Sequence, residues 1–268
     1  MKYGKVMKEF VIFFLMIGLW FSLFAVSAGE CGQYREAPML AAKVQAGELP
    51  PVDERLPKDV LVVKPVDQVG KYGGTLRTVD ITGVDIAGLV KHGLFAVAQD
   101  FSTGSHEWYK GIAEGKIVPN IAKDGVFSED KKTFTLYLRE GLKWSDGVPV
   151  TADDFLFWWE DIVNNKEITP DVPTIYRPGG ELMQVTKIDD YTLEFKFAVP
   201  YKFFKFYLCD TAVRQMPLRP KHYFQQFHPK YNPEVNKLAK EAGFDNWWEL
   251  MEAKAGTTEP DLTAWIQT

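Results

Sequence analysis

The sequence predicts a mixed α/β chain. Two segments alternate apolar and polar residues with the period of a strand, TFTLYL at 133–138 and YTLEFKFA at 191–198. Between them, ADDFLFWWEDIVNN at 152–165 repeats apolar residues with the period of a helix. A chain of 268 residues that is 46% hydrophobic and 25% charged is long enough to bury a sizeable core, which excludes global disorder.

The amino-terminal residues read as an export signal. Lys2, Lys5 and Lys8 precede an uncharged apolar run from Phe10 to Ala28, and Val26 and Ala28 put small residues before a cut ahead of Gly29. Retention of the run as an anchor is the alternative, since 19 residues just span a bilayer about 30 Å thick. Cleavage removes three Lys and one Glu, so the formal charge goes from −5 to −7. The expected location is periplasmic or extracellular, in association with the membrane. Lipid attachment at Cys31 is not expected, because Glu30 occupies the place where such a signal carries a small residue.

Residues 29–70 are rich in Pro and charge, with one short helical stretch at Met39–Gln45, and read as a surface arm. Gly73 and Gly74 then turn the chain into a β-prone strand, and residues 71–268 form the main body. Thr151 and Asp154 make a capping box for the helix at 152–165, and Asp189 and Asp190 form the turn of a hairpin between Val185–Ile188 and Tyr191–Ala198. Helical segments follow in FFKFYL and PKHYFQQF. In NPEVNKLAKEAGF, Asn232 is expected to cap, Pro233 to take the first helical position and Gly243 to stop the helix. DNWWELMEAKAG makes the last helix.

Composition narrows the chemistry. No basic block is present, which argues against a nucleic-acid partner. Two cysteines, Cys31 and Cys209, exclude a disulfide-dense scaffold and a four-cysteine zinc site, and Cys209 is expected to pack as a small hydrophobe. His92, His106, His222 and His228 lack metal-ligand spacing. The carboxylate pairs Asp153/Asp154, Glu160/Asp161 and Asp189/Asp190 read as caps, a solvated face or a turn, since adjacent helical carboxyls point away from one another. No catalytic residue, metal or cofactor is assigned. Trp108 and Tyr109 stand in the polar, glycine-bearing stretch SHEWYKG, where aromatic rings offer a ligand platform.

KYGGTLR, VPNIAKDGVFSEDKKTFTLYLREGLKWSDGVPVTADDFLFWWEDI, VTKIDDYTLEFKFAVP and PLRPKHYFQQFHPKYNPEVNKLAKEAGFDNWWELM follow one another in an order that resembles the extracellular solute-binding proteins of family 5. These are the dipeptide- and oligopeptide-type binding components of ABC transporters. The resemblance spans residues 34–268 and is most specific in LREGLKWSDGVPVTADDF. It implies a periplasmic-binding-protein-like (type II) α/β fold, in which two lobes close over a peptide or oligosaccharide and present it to membrane permease subunits. It also implies a monomer that performs no chemistry.

Along the strand after YGGTLR the resemblance points to Thr78, Asp80 and Thr82 as polar ligand contacts, and it places Trp108 and Tyr109 near the cleft. Trp144, Asp146, Gly147, Thr151 and Asp154 are read as structural. Family members continue well past AWIQT, so the chain is expected to be the amino-terminal part of a longer protein, with the second lobe absent. A reading from another class is a secreted carbohydrate-active enzyme or sugar-binding module that uses its aromatic platforms.

Overall fold

The computed structural model describes residues 34–62, 68, 70–72, 95–97, 117–209, 218–255, 259–260 and 262. The expected export signal at 1–28, the Gly73–Gly74 turn and the strand after it lie outside the described residues. The chain divides into two compact units, residues 1–55 with 70–74, and residues 56–69 with 75–268.

In the first unit, α1 (Pro38–Gln45) sits where a helical stretch at Met39–Gln45 was expected, with Pro38 in its first turn. A single turn, α2 (Val52–Arg55), follows. Arg55 ties the two together: Nη2 donates to Glu36 Oε1, and Nε donates to the Pro50 carbonyl at 3.0 Å. The Arg55 guanidinium holds the Glu36 carboxyl below its ordinary value.

The second unit is built on strands. β1 (Phe95–Val97) pairs antiparallel with β2 (Ile117–Pro119). A separate antiparallel sheet contains β3 (Ala122–Phe127), β4 (Thr133–Leu138), β5 (Gln184–Asp189) and β6 (Thr192–Lys196), in the order β3-β4-β6-β5. The period of two in TFTLYL is seen directly: Phe134, Leu136 and Leu138 are buried, and Tyr137 is exposed. The register sets Phe134 opposite Phe195 and Leu136 opposite Leu193, so the apolar faces of β4 and β6 coincide. A register shift between Lys187 and Asp189 marks the end of β5.

Helix α3 (Ala152–Leu156) covers the buried sheet face. Its capping box is present as expected: Asp154 Oδ2 accepts the Thr151 N–H at 2.9 Å, and Thr151 Oγ1 accepts from Asp153. The Ala152 N–H donates to the Asp190 carbonyl at 2.8 Å, and Lys187 Nζ bridges Asp153 and Asp190 at 3.1 and 2.7 Å. These bonds moor the helix start on the β5–β6 turn.

The helix departs from expectation after one turn. Phe157–Val163 is a π-helix, closed where both the backbone N–H and the side-chain amide of Asn164 donate to the Trp159 carbonyl at 3.0 and 2.9 Å. The segment serves two apolar clusters. Phe155, Trp158, Trp159 and Val163 pack toward the sheet with Phe134, Phe195 and Tyr176, while Phe157 and Ile162 join Phe224, Val235, Trp247 and Met251.

The rest of that second cluster comes from a helical satellite later in the chain. After α4 (Phe204–Tyr207) come α5 (Lys221–Phe224), α6 (Val235–Glu241) and α7 (Trp247–Lys254). The start of α6 differs from the expected one. Asn232 Oδ1 accepts the Glu234 N–H at 3.1 Å, so a turn occupies residues 232–234 and the helix begins at Val235, two residues beyond Pro233. Gly243, at φ +87°, stops the chain's helical course as expected. Asn246 caps α7, accepting from the Glu249 N–H at 2.9 Å.

Candidate functional site

Thr78, Asp80, Thr82, Trp108 and Tyr109 all lie outside the described residues. β1 and β2 precede and follow Trp108 and Tyr109 in the chain. His92, His106 and Cys31 also fall outside. Cys209 is half-buried against the sheet cluster, and its Sγ lies 3.4 Å from the Lys205 carbonyl, which fits the expected packing role.

The motif residues around WSDG and TADD do converge. Trp144 is buried, and its Nε1 donates to Asp154 Oδ2 at 3.2 Å. The other oxygen, Oδ1, accepts the Lys221 N–H at 2.9 Å. Asp154 thus joins the WSDG turn, its own helix and the first residue of α5. Burial pushes its carboxyl above the ordinary carboxylate value, while the donors from Thr151, Lys221 and Trp144 pull the other way. In the turn itself Asp146 Oδ1 accepts the Val148 N–H at 3.1 Å, Gly147 takes φ +88°, and Oδ2 meets His222 Nε2 at 2.7 Å. The side chains of Trp144, Asp146, Thr151 and Asp154 are each bonded to the protein's own groups, which fits the structural reading of the motif.

Asp161 corrects the reading of Glu160/Asp161 as a solvated pair. Asp161 is 5% exposed, and its two oxygens meet Lys230 Nζ at 2.7 Å and Tyr231 Oη at 2.6 Å. Its carbonyl lies 3.2 Å from His228 Nε2. Trp247, edge-on to the His228 ring at 4.7 Å, donates from Nε1 to Glu167 Oε2 at 2.8 Å. The only sequence signal for this network was the position of Asp161 within the apolar repeat of FLFWWEDIV. Its partners lie some 70 residues away.

Both oxygens of each of these buried carboxylates, Asp154 and Asp161, accept from the protein's own donors. Among the described residues, no group of three or more His, Cys, Asp or Glu side chains is placed to hold a metal ion. Ser128, Glu129, Asp130 and Thr133 line a shallow depression, open to solvent, at the β3–β4 turn. Ser128 and Asp130 are bound to each other there at 2.6 Å.

Comparison with known proteins completes this picture. The chain is 34% identical over 224 residues to the periplasmic alpha-galactoside-binding protein of Rhizobium meliloti, covering 74% of this chain and 30% of the relative. It is 27% identical over 184 residues to the periplasmic oligopeptide-binding protein OppA of Salmonella typhimurium, covering 62% and 33%. Among solved structures, an oligopeptide-binding protein OppA superposes with a TM-score of 0.72 at 37% identity, over 87% of this chain and 35% of that one. The periplasmic binding protein MelB from Agrobacterium fabrum C58, in complex with stachyose, superposes with a TM-score of 0.65 at 30% identity, over 88% and 35%. The chain therefore spans about a third of the length of the relatives it matches. Residues 116–257 match the family described as bacterial extracellular solute-binding proteins, family 5, middle region, and the chain belongs to that family.

Proposed function

We propose that the chain is part of an extracytoplasmic solute-binding component of an ABC transporter, capturing a peptide or an oligosaccharide for delivery to membrane permease subunits. The observation that carries this reading is the likeness to two solved structures, one an oligopeptide-binding protein and the other a binding protein holding stachyose, over nearly nine-tenths of the chain. Residues 1–28 serve as the export signal, residues 29–70 as a surface arm, and residues 71–268 as the amino-terminal part of a two-lobed type II fold.

Within that fold Thr78, Asp80 and Thr82 offer hydrogen bonds to the ligand, and Trp108 and Tyr109 offer ring faces. Aromatic faces suit both sugars and apolar peptide side chains. Binding acts by favouring the closed arrangement of the lobes, and no bond in the ligand is broken. Membership of the solute-binding family supports this non-enzymatic reading.

Calorimetric titration of the complete exported protein with an oligopeptide set and an α-galactoside set tests the proposal. Saturable binding of one set is expected, weakened about tenfold or more by Trp108→Ala or Tyr109→Ala through loss of a buried aromatic contact. Absence of binding to both sets, or turnover of the oligosaccharide that a single carboxylate substitution abolishes, overturns it.

A further inference from the structure

We propose that His228 is a pH-sensitive latch that holds the helical satellite of α5, α6 and α7 against the π-helix, and that acid releases it.

The geometry makes Nδ1 of His228 a hydrogen-bond acceptor. His228 is 4% exposed. Its Nδ1 accepts the Lys230 backbone N–H at 3.2 Å, so Nδ1 carries no proton. Nε2 therefore bears the hydrogen, which it donates to the Asp161 carbonyl at 3.2 Å. Asn165 lies on the same side. Its Oδ1 accepts the Glu167 N–H at 3.0 Å, which turns Nδ2 toward Nε2 at 3.3 Å. On its Nδ1 side the imidazole is thus faced by the Lys230 N–H donor. A second proton has nowhere to point: on Nδ1 it meets the Lys230 N–H, donor against donor.

The rings of Phe157, Tyr231 and Trp247 enclose the imidazole at 6.1, 5.8 and 4.7 Å, and exclude the water that would solvate a cation. The charged and titratable groups facing it come from three elements. Asp161 and Glu167, on and just after the π-helix, favour the cation, whereas Lys230 in its own loop opposes it. Asp161 is itself engaged by Lys230 and Tyr231, and Glu167 by Trp247, which blunts their pull. Burial prevails, and the imidazole is held below its ordinary value of 6.5.

The consequence is local because of where the ring sits. His228 touches Phe157 and Asp161 of the π-helix on one side and Trp247 of α7 on the other. It also ends the 3-10 turn Gln225–Phe227 that follows α5. Charging the imidazole sets Nδ1 against the Lys230 N–H and buries a cation between Phe157 and Trp247, the rings through which satellite and π-helix meet at this point, while the sheet cluster has no part in them. With the folded value lowered, the opened state binds the extra proton. Stability of the satellite is complete above the ordinary imidazole value and declines as pH falls through it.

Two measurements on the full chain test this. Imidazole NMR titration is expected to place His228 below the free-histidine value. Hydrogen exchange, expressed as protection factors, is expected to show residues 221–254 losing about tenfold or more in protection between about pH 7.5 and about pH 5, with β4 and β6 unchanged. His228→Asn keeps an acceptor for the Lys230 N–H and cannot be charged, so its satellite protection is expected to be equal at both pH values. A His228 titration at or above the free value, a satellite insensitive to pH in the parent, or an undiminished acid loss in His228→Asn overturns the proposal. If His228→Asn fails to fold, the titration of the parent alone decides.

Discussion

Trp144 Nε1 donates to Asp154 Oδ2 across 3.2 Å of buried interior, joining the turn of WSDG to the helix that TADD opens. The same carboxylate accepts the backbone N–H groups of Thr151 and Lys221. Asp154→Ala removes the capping-box partner and strands buried donors, each costing about 1–3 kcal/mol. The expected loss of stability is about 3 kcal/mol or more, read from the urea midpoint at unchanged slope. Trp144→Phe removes one donor and leaves two, with an expected loss of about 1–2 kcal/mol.

Asp161 makes a different prediction, because its partners substitute for one another. Lys230 is half-exposed, so Lys230→Met alone is expected to cost about 1 kcal/mol. Tyr231→Phe removes a hydrogen bond to a charged group and is expected to cost about 1.5–3 kcal/mol. The double substitution leaves a buried carboxylate without either side-chain donor. Its cost is expected to exceed the sum of the two by about 1 kcal/mol or more in a double-mutant cycle. Simple additivity would show that the two donors act independently.

Adjacent glycines separate backbone strain from steric collision. Gly179 and Gly180 have φ of +79° and +87°. A Cβ at Gly179 would come within 2.8 Å of Val199 Cγ1, whereas one at Gly180 would meet nothing within 4 Å. Gly180→Ala is expected to cost about 1 kcal/mol from the left-handed backbone alone. Gly179→Ala carries that cost and a displaced Val199, so thermal unfolding should rank it as the more harmful by a further 1 kcal/mol or so.

The phenylalanines sort by environment more than by abundance. Phe134 is fully buried, packed on Phe127 at 4.7 Å and on Phe204 at 5.5 Å, and Phe134→Ala is expected to cost about 3–5 kcal/mol. Phe203, the residue before Phe204, is 64% exposed, and Phe203→Ser is expected to change stability by less than about 0.5 kcal/mol. Chemical denaturation of the two variants compares them directly.

Much of the fold was legible where information is local. TFTLYL and YTLEFKFA alternate with period two, and their buried faces are those the alternation marks. Thr151 and Asp154 make the capping box their spacing marks, and Gly243 takes a positive φ that favours glycine. The proposed ligand residues Thr78, Asp80, Thr82, Trp108 and Tyr109 came from a resemblance, and no local pattern fixes what they touch. The family itself was legible because its most specific stretch, LREGLKWSDGVPVTADDF, codes for turns and caps whose chemistry is short-ranged.

What the sequence by itself determined about this protein is therefore its strands, its caps and turns, its mixed α/β character and its family. Tertiary structure alone decided the environment of its ionisable groups. Asp161 reads as a surface carboxylate until Lys230 and Tyr231, 69 and 70 residues later, are brought onto it. His228 reads as a scattered histidine until the π-helix and α7 enclose it. Periodicity reports which face of an element avoids water; it carries no record of which distant donor will meet a buried charge, because that pairing exists only once the elements pack.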